Sequence, residues 1–312
     1  MNNLLIVIPC FNEEEVINET THKILNFLDF LVDSNKITNG NILYVDDGSK
    51  DSTWTKIEYL HNKYSNVSGI KLSHNVGHQK ALWVGLSYAA EKCDAVITID
   101  ADLQDDIGTI EQMVDLHNKN IDVVYGARNN RDTDSIFKRI TAQLFYKFMI
   151  KMGVELEYNH ADFRLLSQRA LKALLSYPEK NLFLRGLVKT IGFPSATVYY
   201  ERHERYAGES KYPFFKMVNF AIDGITSFSV KPLRIVFFIG FLLITISLIG
   251  IIWGLISFFT HNAIPGWTSL MVSIWFIGGC ILSGLGIIGE YIGKIYIETK
   301  RRPLYFIEKE II

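Results

Sequence analysis

Residues 95–106 read AVITIDADLQDD, an apolar and β-branched run followed by four aspartates in seven positions. AVITI is too short for a helix and rich in strand formers, so Ala95–Ile99 predicts a buried strand whose end carries the acids. The pattern repeats along the chain. Leu4–Pro9 leads into CFNEEE, Ile42–Val45 into Asp46-Asp47-Gly48-Ser49 and Gly69–Leu72 into the HNVGHQ stretch, with a further short strand predicted at Val123–Tyr125. Between these runs Glu14–Val32, Ser52–Tyr64, Gln79–Glu91 and Gly108–Asn118 carry apolar residues at helical spacing. Asp51 or Ser52 is placed to cap the second of them. Alternating strands and helices predict an α/β fold with a Rossmann-like, mostly parallel sheet covered on both faces. Ligands bind beyond the carboxyl ends of such strands, so Asp46-Asp47 and Asp100-Ala101-Asp102 are expected on one edge.

Composition narrows the class. The chain has 312 residues and a formal net charge of -1, which gives it no strong pull toward nucleic acid. Its three cysteines, Cys10, Cys93 and Cys280, form no CxxC pair. Neither a zinc site nor a disulfide framework is expected, and a reducing compartment suits them. The opening MNNLLIVIPCFNEEE lacks the basic start, long apolar run and cleavage site of a secretory signal, and it is read as a first strand. No G-x-G-x-x-G follows that strand, which argues against a dinucleotide-dependent oxidoreductase.

Charge is unevenly spread. Apart from Arg234, residues 233–289 contain no Lys, Arg, Asp or Glu. Two segments, about 233–260 and 267–291, each reach the roughly 20 residues that span a bilayer. HNAIPGW separates them, Lys231 and Arg234 flank one side, and Lys294, Lys300, Arg301 and Arg302 flank the other. The positive-inside rule then predicts a multi-pass protein of the inner or plasma membrane with both flanks cytoplasmic. The competing reading, a buried hairpin in a soluble protein, fits poorly with two such stretches in so short a chain. Gly278, Gly279, Ser283, Gly284, Gly286, Gly289 and Gly293 recur along the second span and allow close helix approach, within the hairpin or in a homo-oligomer. Ser135–Met152 and Pro213–Val230 mix aromatic and isolated basic residues; each is an amphipathic helix at a membrane surface or a helix packed on the soluble core.

Asp100 and Asp102 would point to one side if strand geometry persists, making an oxygen-lined place for Mg²⁺ or Mn²⁺. A lone D-x-D is common and surface acids are usually solvated, but DADLQDD at a strand end with a second acidic pair upstream is more specific. Asp46-Asp47-Gly48-Ser49 is also a β-turn, and a turn presents a carboxylate at a sheet edge, where it can accept hydrogen bonds from a ribose or a base. Cys10–Glu15 reads as a helix start with acids in its first turn, and it puts the Phe11 ring at the same edge. His74 and His78 are four apart, yet Gly77 places a turn before the helix and no H-E-x-x-H acid is present, so no zinc site is expected there. Asp162 lies between Ala161 and Phe163, where an unpaired carboxylate is expensive. Either Arg164 satisfies it or it faces a ligand.

In order, IPCFNEEE, VDDGSKDST, HNVGHQKAL, DADLQD, YGARNNR, HADFRLLSQRA and RYAGESKYP resemble the family 2 glycosyltransferases of GT-A fold. The similarity is to the branch of dolichyl-phosphate mannose synthase and the bacterial polyisoprenyl-phosphate glycosyltransferases, and it spans about residues 4–213. It implies a cytoplasmic GT-A catalytic domain at 1–212, a juxtamembrane amphipathic helix at 213–232, and two transmembrane helices with a cytoplasmic tail at 233–312. It also implies inverting transfer of a hexose or N-acetylhexosamine from a nucleotide diphosphate sugar, UDP-glucose or UDP-GlcNAc first, to polyisoprenyl (undecaprenyl) phosphate for the cell envelope.

Roles follow by position from the same resemblance. Pro9, Phe11, Glu13, Tyr44 and Asp46 would line the nucleotide pocket. Asp100, Ala101, Asp102 and Gln104 would hold the donor diphosphate and its Mg²⁺ or Mn²⁺, with Asp102 the direct ligand. Arg128, Arg205 and Lys211 would contact phosphates, which guanidinium groups grip bidentately, although a solvated basic face competes with that reading. Asp162 would position or deprotonate the acceptor; a phosphate with a second pKa of about 6 is already anionic, so a strong base is less necessary. One rival is a processive polysaccharide synthase, disfavoured by the missing QxxRW and by only two spans. Another is a non-catalytic membrane scaffold or lipid-translocation subunit, disfavoured by the intact DADLQD and RYAGESK segments.

Overall fold

The computed structural model describes residues 3–128, 152, 160–201, 222, 224–227, 229–259 and 266–312. Arg205, Lys211, most of the two stretches read as amphipathic helices, and most of the HNAIPGW segment lie outside the described residues.

Strands and helices alternate as the spacing predicts. β1 (Asn3–Cys10), α1 (Ile17–Asp33), β2 (Asn39–Asp46), α2 (Thr53–Lys63), β3 (Val67–Leu72), α3 (His78–Ala89), β4 (Ala95–Thr98), α4 (Thr109–His117) and β5 (Val123–Arg128) follow in order. β6 (His160–Ser167), α5 (Gln168–Leu175), α6 (Leu184–Thr190) and β7 (Ser195–Tyr200) come next. Two long apolar helices, α7 (Lys231–Phe259) and α8 (Trp267–Lys300), precede a final strand, β8 (Ile307–Ile311).

The eight strands form one sheet in the order β7-β5-β6-β4-β1-β2-β3-β8. β4, β1, β2 and β3 are parallel neighbours and β7 is parallel to β5, whereas β6 and β8 run against their partners. The sequence of β1 explains its central place. Leu4, Ile6 and Ile8 enter one core with side chains of α1, α2 and α4, while Leu5 and Val7 enter the other with those of α3, α5 and α6. A strand buried on both faces carries a continuous apolar run, which is what LLIVI is. In α1 the buried residues Ile17, Thr20, Thr21, Ile24, Leu25, Leu28 and Leu31 recur every three or four positions. At the start of α2 Ser52 holds the N-cap position but its hydroxyl turns to Glu14, while Asp51 Oδ1 accepts the Thr53 N–H at 3.0 Å.

Three expectations need correction. β4 stops at Thr98, and Leu103 takes a left-handed φ of 56°. Asp100 and Asp102 therefore stand in a tight turn, and strand alternation does not orient them. Past residue 130 the chain does not lose its strands: β6 and β7 widen the sheet, β6 as an antiparallel insertion whose polar HADFRLLS sequence hides its strand character. Lastly, the end of the chain is not a tail. β8 pairs antiparallel with β3, Ser73 N–H donates to the Phe306 carbonyl at 3.0 Å, and Leu304 and Tyr305 pack against the core of α3, α5 and α6.

The foot of α8 is also tied to the globular part. The Glu298 carboxylate accepts the N–H groups of Lys180 at 2.9 Å and Asn181 at 2.7 Å, and Lys294 donates to Asn181 Oδ1 at 3.2 Å. Among the described residues Phe276–Lys300 is the stretch long and apolar enough to cross a membrane. Exposed apolar side chains, Phe237, Phe238 and Leu282 among them, run along both α7 and α8.

Candidate active site

The loops after β1 and β2 lock one another. Asn12 N–H donates to Ser49 Oγ, Lys50 N–H to Asn12 Oδ1 and Glu13 N–H to Thr53 Oγ1, each at 2.9 Å. Gly48 has a φ of +69°, and a Cβ there would lie 2.7 Å from the His74 carbonyl carbon, so only glycine fits. This clasp holds Asp46 at the end of β2, fully buried, with Oδ1 accepting the Ser49 N–H at 3.0 Å. Its Oδ2 is buried with no hydrogen-bond partner, and burial pushes the carboxyl pKa up. An orphaned buried carboxylate oxygen is destabilising until a donor reaches it, which marks a place for a ligand N–H or O–H. Asp47 is already occupied: it accepts the N–H groups of Val76 at 2.7 Å and Gly77 at 2.9 Å, tying β2 to the start of α3.

β4 lies two strands from β2 across β1, about 10 Å along the edge. Thr98 of β4 pairs with Arg164 of β6, and Asp100, just past the end of β4, lies close enough to Asp162 to feel its charge. His78, the first residue of α3, lies between them with Nε2 3.7 Å from Asp100 and 3.4 Å from Asp162. Asp162 is buried and takes one oxygen to Arg164 and the other to Arg185 Nη2 at 3.0 Å. Burial pushes its pKa up, but Arg185, His78 and Arg164 together outweigh that and hold it well below the usual carboxylate range. A carboxylate kept ionised so firmly is a weak proton acceptor.

Asp102 Oδ1 accepts the N–H of Gln104 at 3.2 Å, closing the turn. The Asp100 carboxyl is pushed up by burial and, against the pull of His78, by the negative charges of Asp162 and Asp102. Asp105 is buried, accepts the Tyr200 hydroxyl and lies 3.9 Å from Arg128; burial and the Asp100 charge raise its pKa to about 6. Among the described residues no three His, Cys, Asp or Glu side chains form a closed metal cage. Asp100 and Asp102 do fit a divalent cation that takes its remaining oxygens from a diphosphate, since such a charge would relieve their mutual repulsion.

The structure thus gathers Asp46, Asp100, Asp102, Gln104 and Asp162 along one edge, with Phe11 and Glu13 partly exposed on the clasp and Pro9 buried beneath it. Ala101 is buried, and its carbonyl accepts the Thr20 hydroxyl at 2.8 Å. Tyr44 is not brought into the cleft. It faces the same way as Asp46 but one layer deeper, fully buried, with its hydroxyl 2.7 Å from that of Thr21. Arg128 turns toward Asp105 and Tyr200. Two residues escaped sequence reasoning. His78 stood on the expected ligand edge and was weighed only as a zinc ligand; Arg185 belongs to no motif.

Residues 5–175 match the family described as glycosyl transferase family 2. The chain is 51% identical over 309 residues to the uncharacterized glycosyltransferase YkoT of Bacillus subtilis (strain 168), covering 99% of this chain and 92% of that one. It is 40% identical over 307 residues to the bactoprenol glucosyl transferase of Shigella phage SfV, covering 98% of each. It is 39% identical over 306 residues to the prophage bactoprenol glucosyl transferase homolog of Escherichia coli (strain K12), covering 97% of this chain and 98% of that one.

Proposed function

The chain belongs to glycosyl transferase family 2, and from that premise we propose that it moves a hexose, glucose first, from a nucleotide diphosphate sugar to a polyisoprenyl phosphate such as undecaprenyl phosphate. Transfer of the sugar to a lipid carrier is supported by the description of a 40% identical relative as a bactoprenol glucosyl transferase, and the donor is proposed as UDP-glucose or UDP-GlcNAc. The observation that carries the reading is the row of groups on one sheet edge: the unfilled acceptor of Asp46, then Asp100 with Asp102, then Asp162 with its cations.

In this reading a ribose hydroxyl or base N–H donates to Asp46 Oδ2, and the Phe11 ring flanks the base. Asp100, Asp102 and Gln104 would hold Mg²⁺ or Mn²⁺ beside the diphosphate, and the bound ion would supply charge neutralisation for the leaving group. The protein's own contribution is orientation and a preset field. His78 keeps Asp100 turned toward the cleft, and Arg205 and Lys211 would grip the diphosphate. The acceptor phosphate is already anionic, so its oxygen attacks the anomeric carbon from the side opposite the diphosphate without a strong base, which inverts that carbon. α7 and α8 would form a membrane hairpin whose exposed apolar side chains meet lipid. β1 and β8 share one sheet, which supports both chain ends on the cytoplasmic side of a cell membrane.

The test is incubation of purified protein with Mg²⁺ or Mn²⁺, polyprenyl phosphate and a panel of labelled sugar nucleotides. Lipid-extractable label from one donor is expected. Label only in water-soluble product would remove the lipid acceptor, and full turnover in thoroughly chelated buffer would remove the metal.

A further inference from the structure

We infer that Arg185 receives the phosphate of the acceptor, with Asp162 as the buried anchor that aims it. This rests on the lipid-phosphate reading above. The first turn of α6 is fixed from three sides. Gln79 Oε1 of α3 accepts the Leu184 N–H at 3.0 Å, and Arg164 of β6 donates to the Leu184 carbonyl at 3.4 Å. Asp162 then takes Arg185 twice, Nε at 3.3 Å and Nη2 at 3.0 Å. The side chain is 28% exposed, yet two of its guanidinium nitrogens are held by the buried carboxylate.

Asp162 holds two guanidinium groups that differ in exposure. Arg164, 3% exposed, already pairs with that carboxylate. Arg185 is a second guanidinium on the same acid, open in part to solvent and close enough to Asp100 to act on it electrostatically. Such a preset guanidinium matches a phosphate oxygen pair in shape and charge. The phosphate concerned is set by the order of strands. Asp46 on β2 marks the nucleoside end, Asp100 follows β4 and Asp162 stands on β6, so Arg185 lies beyond the D-x-D turn as seen from the nucleoside. The segment that leads into α6 also holds α8: Lys180 and Asn181 donate their N–H groups to Glu298. The side of the cleft that carries Arg185 is thus the one tied to the foot of α8.

The experiment measures KM for polyprenyl phosphate and KM for the sugar nucleotide separately in wild type, Arg185→Gln and Arg185→Lys. Arg185→Gln is expected to raise the lipid KM by about tenfold to a hundredfold, the size of a lost charge-assisted contact, and to move the donor KM by less than about twofold. Arg185→Lys keeps the charge but not the fork and is expected to fall between. If Arg185→Gln does not fold, Arg185→Lys is read alone, with a rise of about threefold or more in lipid KM expected. An unchanged lipid KM, or an equal rise in donor KM, overturns the inference. Wild-type protein that transfers nothing to lipid phosphate overturns the proposed function itself, a different outcome.

Discussion

Replacing Asp162 with Asn removes one negative charge from a site that keeps two guanidinium groups and an imidazole around it. The amide is nearly isosteric, so the effect is electrostatic. Arg164 is 3% exposed and its Nε already lacks a partner, so it would face a neutral amide oxygen in place of a carboxylate. Breaking one side of such a buried cluster costs about 3–5 kcal/mol. In a domain of this size, at about 2–4 °C per kcal/mol, the midpoint of thermal unfolding in detergent should fall by roughly 6–20 °C. The pH dependence has a definite sign. Asp162 titrates well below its ordinary value in the folded protein, so its stabilisation is present at neutral pH and lost as pH falls through the folded-state value. Wild-type and Asp162→Asn melting curves should therefore converge only in strong acid. A shift under about 2 °C at pH 7, or one independent of pH, would refute the account of Asp162 as a charged anchor. Adding Arg164→Met to Asp162→Asn should recover part of the loss, which a double-mutant cycle measures.

Asp102→Ala should lower transfer by about a hundredfold or more with little change in melting temperature, and radiolabel extraction in wild type and variant checks it. Burial keeps the Asp105 carboxyl protonated up to about pH 6 in the folded protein. The folded state then binds more protons than the unfolded one between about pH 4 and 6, so stability should fall across that window as pH rises, by about 3 kcal/mol. Asp105→Asn should flatten the slope in urea titrations of metal-free protein. Truncation after Arg302 exposes the β3 edge and the apolar surface under Leu304 and Tyr305, and it should cost about 2 kcal/mol, seen as faster amide exchange in β3.

The part of the edge formed by Asp46 and Asp100 was legible because it is local. Asp46 and Asp100 end strands whose apolar runs announce themselves, and parallel order alone brings them to one edge. The part around Asp162 was not, because it depends on a strand running the other way. HADFRLLS alternates too weakly to be read as β6, and without β6 nothing sets Asp162 near Asp100 or brings Arg185 to it. Tyr44 failed for a related reason: a motif position says which face a side chain takes, and depth along the strand decides whether it meets ligand or core. β8 was missed because IEKEI carries three charges in a row and is exposed along most of its length, which gives no alternating pattern and suits an edge strand.

That last strand also constrains motion. Six residues separate α8 from β8, a leash of at most about 20 Å, and the strand fastens to one margin of the sheet while Glu298 grips the 180–181 segment. Two fastenings on different parts of one rigid body prevent it from swivelling about the helix axis. If α8 sits in a bilayer as proposed, the length of this short leash would limit the height and tilt of the sheet edge above the lipid surface. Lengthening it by a few glycines would lift that control without altering a single side chain in the cleft.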